Sequence, residues 1–268
     1  DEKDMLAEVT HNFPQDLKGY LKFLDDCEKR YVFGFEGLGR KPMNKLWDLV
    51  KELPGFVRLR ADRSVYAHVS ARVKDPKFRM ALSFHPLFIG GDPRNVTSMY
   101  ILVSHLEKAF GVHYVKGGVQ ALADAMANVV KEQGGQVLLN SNVARISVNN
   151  HKSDGVILEN GLNLNADIVV SNADPGWTYD KLLPAHKKRR WSRNKLKKSR
   201  WSMGLFVWYF GTRNTKKKWQ DVGHHTIING PRYRGLLSDI FDRCYLADDM
   251  SIYPVSYTHL TLPTTYGV

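Results

Sequence analysis

VHYVKGGVQALADAMANVVKEQGGQVLLNSNVARI, residues 112–146, changes its hydrophobic period twice. Val112 to Val115 is strand-length and apolar, and Gly117-Gly118 punctuates it as a turn. From Val119 to Gln133 the apolar residues Leu122, Met126, Val129 and Val130 recur at helical spacing, and Gly134-Gly135 stops the helix. Strand-length runs follow at Gln136–Leu139, Val143–Asn149, Gly155–Glu159 and Ile168–Ser171, separated by Asn, Asp and Gly. A helix feeding several strands is an α/β unit, so the expected fold class is α/β.

Upstream, residues 14–85 read as mainly helical. Leu17, Tyr20, Leu21 and Leu24 form one stripe opposite Lys18, Lys22, Asp26 and Lys29, while Phe23 lies off that stripe and is expected to meet a second partner. A helix is expected from Pro42 through Leu53, ended by Pro54-Gly55. Another is expected from Arg63 to Val73, and one begins after Asp75-Pro76, with Asp as cap and Pro as first residue. Gly90-Gly91-Asp92-Pro93 is a turn before a helical run over Ser98–Phe110. Downstream lie a helix-like segment to Leu183, strands at Met203–Gly211 and His225–Ile228, and a helix over Arg232–Leu246.

The 268 residues, 43% hydrophobic and 25% charged, exclude a disordered or collagen-like chain. Cys27 and Cys244 are too few for a disulfide framework, which makes a reducing compartment the default. The longest strongly apolar stretch, Met203–Phe210, is far short of the roughly 20 residues that span a bilayer. Net charge is +12, and residues 185–200, AHKKRRWSRNKLKKSR, hold nine Lys or Arg and no acid. One segment therefore accounts for most of the excess.

Both ends carry expectations. The chain opens at Asp1 within a helical pattern, so a preceding portion is expected. Val255 to Thr265, VSYTHLTLPTT, has no charged residue and four threonines, and it resembles the translation of a transposase sequencing adapter. Residues 255–268 are accordingly expected not to belong to the natural protein.

No glycine-rich phosphate loop is present, neither GxGxxG after a strand nor GxxxxGK[ST]. Gly34-x-x-Gly37-x-Gly39 has the spacing reversed and lies among helices, where it reads as a turn or a loose helix end. His224 and His225 are adjacent and would point apart on a strand, so no metal site is assigned.

Several blocks in order nevertheless resemble one family. They include FPQDLKGYLKFLDDCEK (13–29), LRADRSVYAHV (59–69), LSFHPLFIGGDPRNVTSMYILVSHLEKAFGVHYVKGGVQALADAM (82–126) and GGQVLLNSNVARI (134–146). Further blocks are ADIVVSNADPGWTYDKLLP (166–184), MGLFVWYFG (203–211) and HHTIINGPRYRGLLSDIF (224–241). Together they resemble the flavin-dependent carotenoid desaturases, the bacterial phytoene desaturases. The resemblance implies an internal fragment of a two-domain FAD-dependent oxidoreductase, in which a Rossmann-like FAD domain is interleaved with a substrate domain. It assigns residues 1–111 to a mainly helical substrate- or membrane-facing region, 112–174 to part of the FAD domain and 175–254 to the substrate domain. The family's pyrophosphate-binding loop would precede Asp1 and a flavin-contacting segment would follow Pro254, so this stretch alone is expected to hold FAD weakly and to be inactive.

The resemblance also implies site residues. Val143 matches a position whose backbone meets the adenine, and Ser171, Asn172 and Ala173 match a strand end where small residues pass close to the cofactor. Asp48 matches a proposed active-site acid, with Lys51 one turn on where the family tends to have Arg. A buried carboxylate there would stabilise an allylic cation or take a proton as hydride leaves a C–C bond of a linear polyene. The implied activity is FAD-dependent dehydrogenation of phytoene towards lycopene, on a linear carotenoid substrate. An apocarotenoid desaturase or a related carotenoid oxidase or isomerase is the near alternative, and a non-catalytic basic binding module the distant one. The basic run fits nucleic-acid phosphates or anionic lipid, with Trp191 and Trp201 at the interface. With a lipid-soluble substrate implied, the membrane is favoured and no nucleic acid is expected. The location expected is cytoplasmic, peripheral on the membrane; the oligomeric state stays open.

Overall fold

The computed structural model describes residues 2–113, 115–184, 191–213, 217–218, 223 and 225–255. The chain divides into two compact units, 1–114 with 202–268, and 115–201.

The first unit is helical. After α1 (Glu2–Asn12), α2 (Leu17–Arg30) buries Tyr20, Phe23, Cys27 and Arg30. That stripe lies round the helix from the expected one: Leu21 is exposed, and Phe23, expected off the stripe, lies at its centre. The register is decided by what α2 packs against, for Val65, Val69 and Val73 meet the Phe23 side in one core cluster. The approach is close at Gly19, where an added Cβ would stand 1.8 Å from the carbonyl oxygen of Arg72. Asp16, buried before α2, accepts the amides of Lys74 (2.7 Å) and Asp75 (2.8 Å), pinning that turn.

The caps follow side-chain chemistry. Ser64 accepts from the Ala67 amide (3.1 Å) to open α4 (Val65–Ser70). Asp75 accepts from Lys77 (2.8 Å) and Phe78 (3.0 Å) to open α5 (Pro76–Ser83), with Pro76 in the first position as expected. The expected 63–73 helix is thus shorter at both ends. A wide π-helical turn, Tyr31–Leu38, extends α2 through the glycine-spaced segment. α3 (Leu46–Arg58) starts later than expected and runs through Pro54. Proline withholds one donor there, yet the Leu59 amide still reaches the Gly55 carbonyl (3.0 Å), so the next turn closes. α6 (Leu102–Phe110) follows a 3-10 turn over Ser98–Ile101.

Met203–Gly211, expected as a strand, is unladdered, with Phe206 94% exposed. His225 and Ile228 make only isolated bridges, to Val255 and Ile252. The expected last helix is shorter: it ends at Phe241, and Cys244, at a left-handed φ of 52°, keeps the residues beyond from resuming it.

The second unit holds α7 (Gly118–Glu132) and a three-stranded antiparallel sheet in the order β1 (Val143–Asn149), β2 (Lys152–Leu158), β3 (Asn163–Asn165). Left-handed Asn150 and His151 make the two-residue hairpin between β1 and β2. α7 closes on left-handed Gly134, the amides of Gly134 and Gly135 reaching the carbonyls of Lys131 (2.9 Å) and Val130 (2.9 Å). The expected helix-like segment to Leu183 is a short α8 (Pro175–Trp177) capped by Asp174, then a wide turn over Thr178–Leu182. α9 (Arg193–Lys197) lies within the basic run. The expected strands at 136–139 and 168–171 are unladdered, as are the described residues of the 112–115 run. Their apolar side chains stand open, Val170 at 87%. Strand propensity is present in all three, but no partner strand pairs with them among the described residues.

Candidate functional site

Asp48 sits in the first turn of α3, half-buried, and its Oδ2 accepts the Lys45 amide at 3.0 Å. One oxygen is therefore anchored to backbone, while Oδ1 has no hydrogen-bond partner among the described residues. Lys51 follows one turn later on the same helix, exposed. Among the described residues neither side chain of the pair makes an ion pair. Around them Leu46, Trp47, Leu49, Val50, Leu53 and Val57 are all exposed, Leu46 at 79%. The helix thus presents its carboxylate amid an open apolar surface.

In the second unit Val143 begins β1 opposite Leu158, and the ladder is irregular between Val143 and Arg145. Ser171 Oγ lies 2.9 Å from Thr178 Oγ1, and Asn172 and Ala173 are exposed. The turn Thr178–Leu182 packs against β1, which brings the 171–173 segment and the Val143 strand to one region. Small side chains, exposed backbone and open apolar edges at 136–139 and 168–170 fit close approach by a planar aromatic group. Nothing among the described residues cradles a pyrophosphate: the Gly117-Gly118 turn before α7 follows no strand.

The most strongly interacting ionisable groups form a cluster that sequence reading missed. Asp26 of α2 accepts at Oδ2 from Arg72 Nε (2.6 Å) and from His68 Nε2 (3.0 Å). His68 Nδ1 faces Arg30 Nη2 at 3.4 Å. Because guanidinium can only donate, Nδ1 is the acceptor and Nε2 carries the proton given to Asp26. Burial raises the Asp26 pKa, but hydrogen bonds from His68 and Arg72 and the Arg72 charge outweigh it, holding the carboxyl well below the usual range. Beside it the Cys27 thiol is pushed up by burial and is inert at neutral pH. Tyr233 of α10 (Tyr233–Phe241), 3.2 Å from Ser83 Oγ, is likewise pushed up to about 12 by burial. No sequence signal marks the cluster, whose two halves, Asp26 with Arg30 and His68 with Arg72, meet across 38 to 46 positions.

Of the basic run, Lys187, Lys188, Arg189 and Arg190 lie outside the described residues, as do His224 and all but Val255 of the 255–268 tail. Trp191 is half-buried under Lys195 Nζ, 4.3 Å from its ring centre, and Arg193 pairs with Asp180 at 2.6 Å. Trp201 is exposed, but its ring edge lies against Gly176. Among the described residues no helix is long and apolar enough to cross a membrane.

The family model described as flavin containing amine oxidoreductase matches residues 5–266. The chain is 60% identical over 260 residues to phytoene desaturase (neurosporene-forming) of Cereibacter sphaeroides, covering 97% of this chain and 50% of the relative. It is 57% identical to the neurosporene-forming phytoene desaturase of Rhodobacter capsulatus, covering 98% of this chain and 50% of that one. The lycopene-forming phytoene desaturase of a Paracoccus species is 43% identical over 94% of this chain and 50% of its own length. The chain spans about half the length of these relatives.

Proposed function

The chain belongs to the flavin containing amine oxidoreductase family, and on that premise we propose that it is part of an FAD-dependent carotenoid desaturase acting on phytoene. The observation that carries this reading is identity of 57 to 60% to two phytoene desaturases along nearly the whole chain. Since both are neurosporene-forming and the lycopene-forming relative is 43% identical, neurosporene is the product the comparison favours.

Flavin supplies the two-electron acceptor that takes hydride from the saturated carbon. The chain's residues deal with the charge and the proton left behind. As hydride departs, positive charge spreads along the polyene, and a proton must leave the neighbouring carbon to complete the double bond. Asp48 suits both tasks: Oδ2 is held by the Lys45 amide, Oδ1 has no hydrogen-bond partner among the described residues, and the helix carries exposed apolar side chains on which a polyene would lie. Lys51 places a cation one turn further along the same helix. In the second unit, Val143 and the 171–173 segment would hold the adenine end by backbone contact.

Asp48→Asn preserves the bond to Lys45 and removes the proton acceptor. In the flavin-loaded enzyme kcat is expected to fall about 100-fold with KM little changed, as read from initial rates of phytoene loss. Equal kcat would remove Asp48 from the chemistry.

The proposed location is the membrane surface, where a polyene substrate resides. What supports it is the basic run, which continues into α9 with Lys195 and Lys197 and past its end with Lys198. Replacing Lys187, Lys188, Arg189, Arg190, Lys197 and Lys198 with Gln is expected to abolish salt-sensitive sedimentation with anionic liposomes, each charge contributing about 1 kcal/mol. Undiminished sedimentation would contradict surface docking through this segment.

A further inference from the structure

Within the first unit a cleft of about 780 Å³ is walled by the end of α2, the end of α3 and α4 with the residues after it. At its wall lies Arg30, only 2% exposed. Its Nη1 donates to the Asp26 carbonyl (2.9 Å) and its Nη2 to the Leu59 carbonyl, with Ser98 Oγ at 3.5 Å. All of these partners are neutral. The nearest carboxylate oxygen, Asp26 Oδ1, is 3.9 Å away, and the other oxygen of that group already serves Arg72 and His68. Arg30 Nε is buried and has no acceptor. One carboxylate therefore stands against two guanidinium groups, which leaves a buried positive charge and an unused donor.

More cations face the same space. Arg58, at the end of α3, is exposed and makes no ion pair among the described residues. Arg60 lines the cleft from the position that closes α3. There the amides of Arg60 and Ala61 reach the carbonyls of Val57 and Phe56, both at 3.0 Å. This is the closure Gly134 makes at the end of α7, and it demands a left-handed residue, φ 52° at Arg60. Glycine is the low-energy choice there. An arginine at this position keeps its side chain at a conformational cost, and that side chain makes a two-pronged pair with Asp62 (3.0 and 3.1 Å) beside the cleft. The acids on the lining are Asp25, paired with Lys29 at 2.5 Å, Asp26, and exposed Glu28.

We infer that this cleft binds a phosphate oxyanion, received by Arg58 and Arg60 and held against the buried charge of Arg30. A tetrahedral oxyanion suits donors arriving from the ends of different helices, and guanidinium groups give each oxygen a charge-assisted bond. The phosphate could be free or the head of an anionic lipid.

The probe is inorganic phosphate, titrated calorimetrically into the purified chain at low ionic strength, with chloride as control. One-to-one binding is expected, weakened at least about tenfold in Arg58→Gln and in Arg60→Gly, the loss of one charge-assisted hydrogen bond. Arg60→Gly is also expected to melt no lower than the parent, since glycine relieves the left-handed residue, and this separates ligand loss from unfolding. Absence of saturable phosphate binding, or binding unchanged in both folded variants, would overturn the inference. Vesicles of phosphatidylcholine with and without phosphatidic acid assign the source. Competition between phosphate and the acidic vesicles identifies a lipid head, and phosphate binding without vesicle binding identifies the free ion.

Discussion

Asp26→Asn is expected to lower unfolding free energy by about 2 kcal/mol, less than for removing one partner of a fully buried ion pair because Asp26 and Arg72 are part-buried. The amide preserves shape but removes the one charge between Arg30 and Arg72, two cations that the fold holds within reach of the same carboxylate. The pH dependence has a definite sign. Because the folded pKa lies below the unfolded one, the ionised carboxylate contributes its full stability above the ordinary carboxylate range, roughly pH 4. That contribution is lost as pH falls through the folded value. Urea midpoints of parent and variant should therefore differ most near neutrality and converge in acid. A constant gap at all pH values would show that ionisation of Asp26 is not what stabilises the fold.

The largest loss is expected at Phe23→Ala, about 4 kcal/mol, as for other fully buried phenylalanines. Phe23 has no exposed surface, and it belongs to the cluster that joins α2 to Val65, Val69 and Val73. Close backbone contact at Gly19 limits how far α2 can move to refill the void. The same contact positions Arg72, so the variant should also weaken the Asp26–Arg72 pair. Phe23→Leu, which restores most of the volume, should recover more than half of the loss in the same denaturation measurement. Equal midpoints for the two variants would mean that the void collapses and the core is not rigid.

These two sites show where sequence reading succeeds and stops. Asp75-Pro76 and Gly134-Gly135 are legible because a cap is made by residues two to five positions apart. α7 is legible because one period persists along it, and β1 because a strand-length run is bounded by Asn at both ends. Leu17, Tyr20 and Leu24 of the expected α2 stripe do meet the core, but its centre shifts to Phe23, because the expected set and the buried Tyr20, Phe23 and Cys27 satisfy the same spacing. Only the partner helices choose between them. Runs such as MGLFVWYF carry strand propensity, but a strand exists only when paired. Arg30, His68 and Asp26 look like ordinary surface residues in sequence, and their meeting depends on the α2–α4 crossing. Asp48 was marked by family resemblance alone; its anchoring to Lys45 is visible only in three dimensions.

The proposed desaturase chemistry is tested most directly by giving liposome-borne phytoene to the complete protein, purified with its flavin, and resolving the products by chromatography. The account predicts loss of phytoene, reduction of flavin, and products whose absorption moves to longer wavelength as conjugation extends, with neurosporene accumulating. Flavin that stays oxidised in the presence of phytoene, with no polyene product formed, would contradict it.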